Sequence, residues 1–145
     1  MSAGTRRLVP ELIVSDFRRS FRFYTQVLGF EELYGRPEEG FTFLNRNGAQ
    51  LMIDQHSDTA DRDWVAGDLQ HPFGRGMNLE IEVENADALH GTCVRDGARI
   101  FMEMEEKWYR RHDLLLGVRQ FIVMDPDGYL LRLSQPIGTR PVGEV

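Results

Sequence analysis

RQFIVMDPDGYLLRLS, residues 119–134, decides the fold. A run of branched and aromatic residues enters the turn Asp125-Pro126-Asp127-Gly128, and a second apolar run leaves it. That pattern is a β-hairpin, in which Pro presets φ at the second turn position and Gly takes φ > 0 at the fourth. Side chains alternate along a strand, so Tyr129, Leu131 and Leu133 share one face of the outgoing strand, and Leu130, Arg132 and Ser134 share the other. An arginine therefore stands mid-strand, and the surface it faces bears directly on function.

Upstream of the hairpin, NLEIEV at 78–83 alternates as a strand, Asn85 caps a helix carrying Ala88, Leu89 and Val94, and Gly97 ends it. Strands are expected near 99–104, 118–124 and 129–133, with EEKWYRRHDLLLG at 105–117 as an insert. The first half of the chain follows the same order. LVPELIV at 8–14 is a strand, and Pro10, lacking a backbone donor, belongs at a sheet edge or a strand start. Ser15 or Asp16 caps a helix with the stripe Phe17, Phe21, Tyr24 and Leu28; Gly29 stops it, and strands follow near 30–34, 41–44 and 49–54. Aligning Val14 with Val83, Gly29 with Gly97 and Gly48 with Gly128 gives offsets of 69, 68 and 80 residues. Two copies of one βαβββ module are the economical reading. The organisation expected is one domain over 1–145, with modules at 8–55 and 78–135, a linker at 56–77 and a tail at 136–145.

The chain's 145 residues are enough to bury a core without staples. Cys93 is the only cysteine, which excludes an intramolecular disulfide and a zinc site of the cysteine kind. Acidic residues number 23 and basic residues 17, a net charge of −6, which opposes a nucleic-acid partner and favours a cationic ligand. No run has the apolar length of a signal peptide or a membrane span, so a soluble, cytoplasmic protein with no membrane partner is expected.

VPELIVSDFRRSFRFYTQVLGF at 9–30 and the DPDG hairpin at 119–133 resemble the vicinal oxygen chelate superfamily, the glyoxalase, bleomycin-resistance and extradiol dioxygenase fold, over nearly the whole chain. The resemblance implies an α+β protein of two tandem modules whose curved mixed sheet bears a cleft. It also implies that metalloenzymes of the superfamily carry ligands on the first and last strands of each module. Those positions fall here on Val9, Met52, Asn78 and Arg132, none of them a credible ligand for a catalytic divalent metal. His56, His71, His90 and His112 show no metal-binding spacing, so no metal and no cofactor is expected. His112 is the one placed as a polar contact near the cleft mouth.

By alternation, the cleft of such a fold would be lined by Glu11, Ile13, Gln50, Met52, Asp54, Asn78, Glu80, Glu82, Arg119, Phe121, Arg132 and Ser134. Arg132 is expected to pair with Glu11 or Glu80. Trp64 and Phe73 in the linker, and Trp108 and Tyr109 in the insert, are expected to stack on a planar ligand. The segment at 108–135 is most similar to the bleomycin-resistance branch. This implies a homodimer with exchanged N-terminal arms that sequesters a basic, planar small molecule, breaking no bond. The competing expectation is a lyase, dioxygenase or isomerase with an atypical or absent metal, using Glu11, Glu80 or His112 as base.

Overall fold

The computed structural model describes residues 7–57 and 64–143. Asp16 caps the first helix by accepting from the backbone N–H of Arg19 at 3.2 Å. In the first module β1 is Glu11–Val14, α1 is Phe17–Arg22, β2 is Glu31–Arg36, β3 is Phe41–Arg46 and β4 is Ala49–Gln55. The sheet order is β1-β4-β3-β2, with β1 parallel to β4 at the edge. Pro10 precedes β1, and its carbonyl accepts from the N–H of Met52 at 2.9 Å, so its missing donor costs the ladder nothing.

α1 does not keep the 3.6-residue period expected of it. It passes into a π-helical turn over Phe23–Val27, closed by the Leu28 N–H on the Phe23 carbonyl. The slip in phase buries Phe23 and Val27 along with Tyr24 and Leu28, leaving Phe17 and Phe21 half-exposed. Tyr24 lies edge-on between Phe23 and Phe30, with centroids 5.4 and 5.8 Å away.

The second module repeats the plan. β5 is Leu79–Glu82, α2 is Ala86–Asp96, β6 is Arg99–Arg111, β7 is Leu114–Met124 and β8 is Leu130–Pro141, in the order β5-β8-β7-β6 with β5 parallel to β8. Glu11 pairs with Met52 in one sheet and Glu80 with Arg132 in the other, so the offsets of 69 and 80 residues recur as register. The fold is α+β, two four-stranded mixed sheets, and the chain divides into two compact units after Phe73. Among the described residues no helix is long and apolar enough to cross a membrane.

Two expectations are corrected here. Residues 105–117 are no irregular insert: β6 and β7 run on as a ladder to Arg111 and Leu114, turning at His112 and Asp113. Residues 136–141 are no tail, since they continue β8 until Pro141 pairs with Leu114. Charges line both faces of residues 105–111, so burial leaves no alternation there to read.

The DPDG turn is built as its residues require. Asp125 Oδ1 accepts from the N–H groups of Asp127 and Tyr129, both at 2.9 Å, and Gly128 has φ of 95°. The turn sets Met124 opposite Leu130, and hence Phe121 opposite Leu133 and Ile122 opposite Arg132. Phe121, Val123, Leu131, Leu133 and Ile81 form the buried side of the second sheet, where α2 packs.

Candidate functional site

The second sheet's opposite face is polar, and register assembles it row by row. Ile122, Arg132 and Glu80 stand side by side; Glu105, Gln120, Ser134 and Glu82 form the next row. Gln120, only 1% exposed, spends both amide hydrogens, one on Glu105 Oε2 and one on the Tyr109 hydroxyl, each at 2.8 Å. With both amide hydrogens engaged, this buried side chain holds the Tyr109 hydroxyl in the network. Arg132 donates from Nε to Asn78 Oδ1 at 3.2 Å and makes a longer contact of 3.5 Å from Nη1 to the Tyr109 oxygen. Among the described residues these neutral groups are its only partners, and the ion pair expected with Glu80 is not formed.

Beside this cluster the same face holds a hollow of about 290 Å³. Leu116, Val118 and Pro136 make its apolar floor, and Glu80, Glu82 and Ser134 stand at its side. Glu80 and Glu82 are exposed. A small organic cation would find apolar surface and two carboxylates together there.

Arg119 and Phe121 do not belong to this face. Both ends of the Asp125 turn pair at residues of equal parity, Met124 with Leu130, so odd-numbered β7 residues face α2 while Arg132 faces away. Phe121 is fully buried with the His90 ring edge-on at 5.0 Å. Arg119 grips Asp87 of α2 with Nε and Nη2, at 2.9 and 2.8 Å. That bond holds the Asp87 carboxyl below its ordinary value and raises the Arg119 guanidinium.

Trp108 is corrected for a related reason. It is adjacent to Tyr109 on a strand, so only one of the two reaches the polar face, and Tyr109 is the one. The Arg140 guanidinium lies 3.7 Å from the Trp108 ring centroid, and the indole N–H donates to Glu106 Oε2 at 3.1 Å. Its edge rests on the Gly117 backbone so closely that a Cβ there would stand 2.6 Å from the ring. The Trp108 ring is thus stacked within its own hairpin. His112 sits in the hairpin's end turn with φ of 58°, outside the hydrogen-bonded cluster.

In the first module Glu11, Met52, Phe43 and Tyr34 form one row, and Ile13, Asp54, Phe41 and Arg36 the next. Tyr34 stacks on Phe43 at 5.3 Å, and the Arg36 guanidinium covers Phe41 at 4.1 Å. Asp54 is 2% exposed. Trp64, half-exposed, and Phe73, half-buried, lie in the first unit, where the described residues 64–73 form no helix or strand. Sequence reasoning missed Glu105, Gln120, Tyr34, Phe41 and Phe43; the alternation of FTFLN and the parity of the DPDG turn carried the signal.

A family model, that of the Glyoxalase/Bleomycin resistance protein/Dioxygenase superfamily, matches residues 7–133. The chain belongs to that superfamily. Bleomycin resistance proteins of Geobacillus stearothermophilus and Staphylococcus aureus are 27% identical over 138 residues, covering 89% of this chain and 96% of theirs. Two solved structures share the fold. TioX from Micromonospora sp. ML1 is 20% identical with a TM-score of 0.66, over 92% of this chain and 98% of its own. The fosfomycin resistance protein FosX from Listeria monocytogenes is 17% identical with a TM-score of 0.62, over 93% and 94%.

The superfamily's metalloenzymes raise the question of a metal, and the residues do not fit one. At the second module's two ligand positions a guanidinium donates to the amide oxygen of Asn78, which places a fixed positive charge where a cation would have to bind. Among the described residues no three His, Cys, Asp or Glu side chains converge as ligands.

Proposed function

We propose that this chain is a binding protein of the bleomycin-resistance type that sequesters a small molecule through a cationic group, without chemistry on the ligand. The carrying observation is the hollow of about 290 Å³ in which exposed Glu80 and Glu82 border an apolar floor. The net charge of −6 draws cations toward it, and covering the floor stabilises the complex by about 25 cal/mol per Å² of apolar surface removed from water. The names of the curated relatives support this class, and basic antibiotics of the bleomycin type are the ligands to try first. A cytoplasmic homodimer belongs to the same proposal, and light scattering on the purified protein tests its oligomeric state.

Calorimetric titration with metal-free bleomycin tests the function. Saturable binding at micromolar concentration, weakened by salt and lost in the double substitution Glu80→Gln, Glu82→Gln, is the expected result. No heat of binding and no shift in melting temperature would overturn it.

A further inference from the structure

A half-buried guanidinium ordinarily sits against a carboxylate, because neutral acceptors repay little of its lost hydration. Arg132 departs from this rule with carboxylates close at hand. Its Cα partner Glu80 is on the same face, yet the side chain bonds only Asn78 and Tyr109, and among the described residues Nη2 has no acceptor. Tyr109 adds a second donor. Gln120 and Arg132 both direct hydrogens at its oxygen, so its own O–H must turn away from them, and the residue is 41% exposed.

We infer that Arg132 and Tyr109 form an oxyanion subsite, and that the ligand of the second module is a zwitterion with an apolar body joining its two charges. The inference rests on the cationic reading of Glu80 and Glu82 and adds the opposite charge to it. A simple anion would be repelled by Glu80, Glu82 and Glu105, all on this face. A ligand that brings its own cation turns those carboxylates to advantage. Glu82 stands one row beyond Arg132 on the neighbouring strand, so their backbone positions lie roughly 8 Å apart at the usual strand rise and spacing, a span that suits a ligand with its two charges at opposite ends. The floor of Leu116, Val118 and Pro136 takes the apolar body.

The test is calorimetric titration of the full chain with 4-(aminomethyl)benzoate, benzylamine and benzoate, on the wild type, Arg132→Gln and Tyr109→Phe. The zwitterion is expected to bind about tenfold tighter than benzylamine. Arg132→Gln should abolish that advantage and Tyr109→Phe reduce it severalfold, with melting curves checking that both variants fold. Equal binding of zwitterion and benzylamine by the wild type overturns the subsite and leaves the cation reading standing. Arg132-dependent binding of benzoate with none of benzylamine keeps the oxyanion subsite and overturns the zwitterion and the cation reading. Binding of none of the three overturns both.

Discussion

The two modules share strand order and the parallel pairing of first and last strands, yet they use the face on which Met52 and Arg132 stand in opposite ways. In the first module that face is aromatic: Phe41 and Phe43 are 5% and 1% exposed, and Tyr34 stacks on Phe43. In the second module it carries Glu80, Arg132, Tyr109 and an open hollow. Register makes Met52 and Arg132 equivalent, each beside the glutamate of its module's first strand. A duplicated scaffold thus supplies positions, and the residues at them decide whether a face becomes core or site.

The sharpest way to break this contrast is to cut each face down. Phe43→Ala should destabilise the protein by about 3–5 kcal/mol, as a large buried ring does when removed. Phe121→Ala should cost as much, because it occupies the second module's helix side. Arg132→Gln should cost under about 1 kcal/mol, and Tyr109→Phe, which strips buried Gln120 of one acceptor, about 1–3 kcal/mol. Urea denaturation measures all four; a loss at Arg132 as large as at Phe43 would make the second module's face core as well.

The hairpins differ too. The first module turns from β2 to β3 through a short 3-10 turn at Pro37–Glu39 closed by Gly40 with φ of 66°, whereas the second extends the equivalent β6 and β7 into a long ribbon braced by Trp108 on Gly117. Gly117→Ala places a methyl group within the Trp108 ring and should cost about 1–3 kcal/mol, with a change in tryptophan fluorescence. Combined with Trp108→Ala, the same substitution should cost far less, and additive losses would show that the contact braces nothing. At the other end of β7, Asp125→Ala strips two backbone N–H groups of their acceptor and should cost about 1–3 kcal/mol by thermal unfolding.

These elements also show what a sequence reveals. A cap at Ser15 or Asp16, which the structure settles on Asp16, the cap Asn85, the DPDG turn and the repeat were legible because each depends on local chemistry and short spacing. The π-helical turn was not, since its phase slip answers to packing around Tyr24 rather than to any residue's propensity. The long ribbon was hidden because exposed strands lack the burial that makes alternation visible. The site was half legible. Glu80, Glu82 and Arg132 fell on one face by alternation within their own strands, but placing Arg119 and Phe121 required the pairing parity across the turn.

Arg119 and Arg132 sharpen the comparison to the scale of single charges, because two arginines of one sheet face different partners. Arg119 holds Asp87 through two hydrogen bonds and keeps its folded carboxyl below the ordinary 3.8, whereas Arg132 meets only neutral oxygens. A carboxyl depressed in the folded state contributes stability that is complete above its unfolded value and is lost as pH falls through the folded one. The Asp87 contribution therefore begins to fall below about pH 4, and it is small because the pair is exposed to solvent. Asp87→Asn should lower the melting temperature slightly at pH 7 and converge with the wild type as acid titrates Asp87 in the folded state. Arg132→Gln should leave the acid dependence of the melting temperature as it is in the wild type. An acid-sensitive loss at Arg132 equal to that at Asp87 would mean that a carboxylate does pair with Arg132, and its free charge would no longer be available to a ligand.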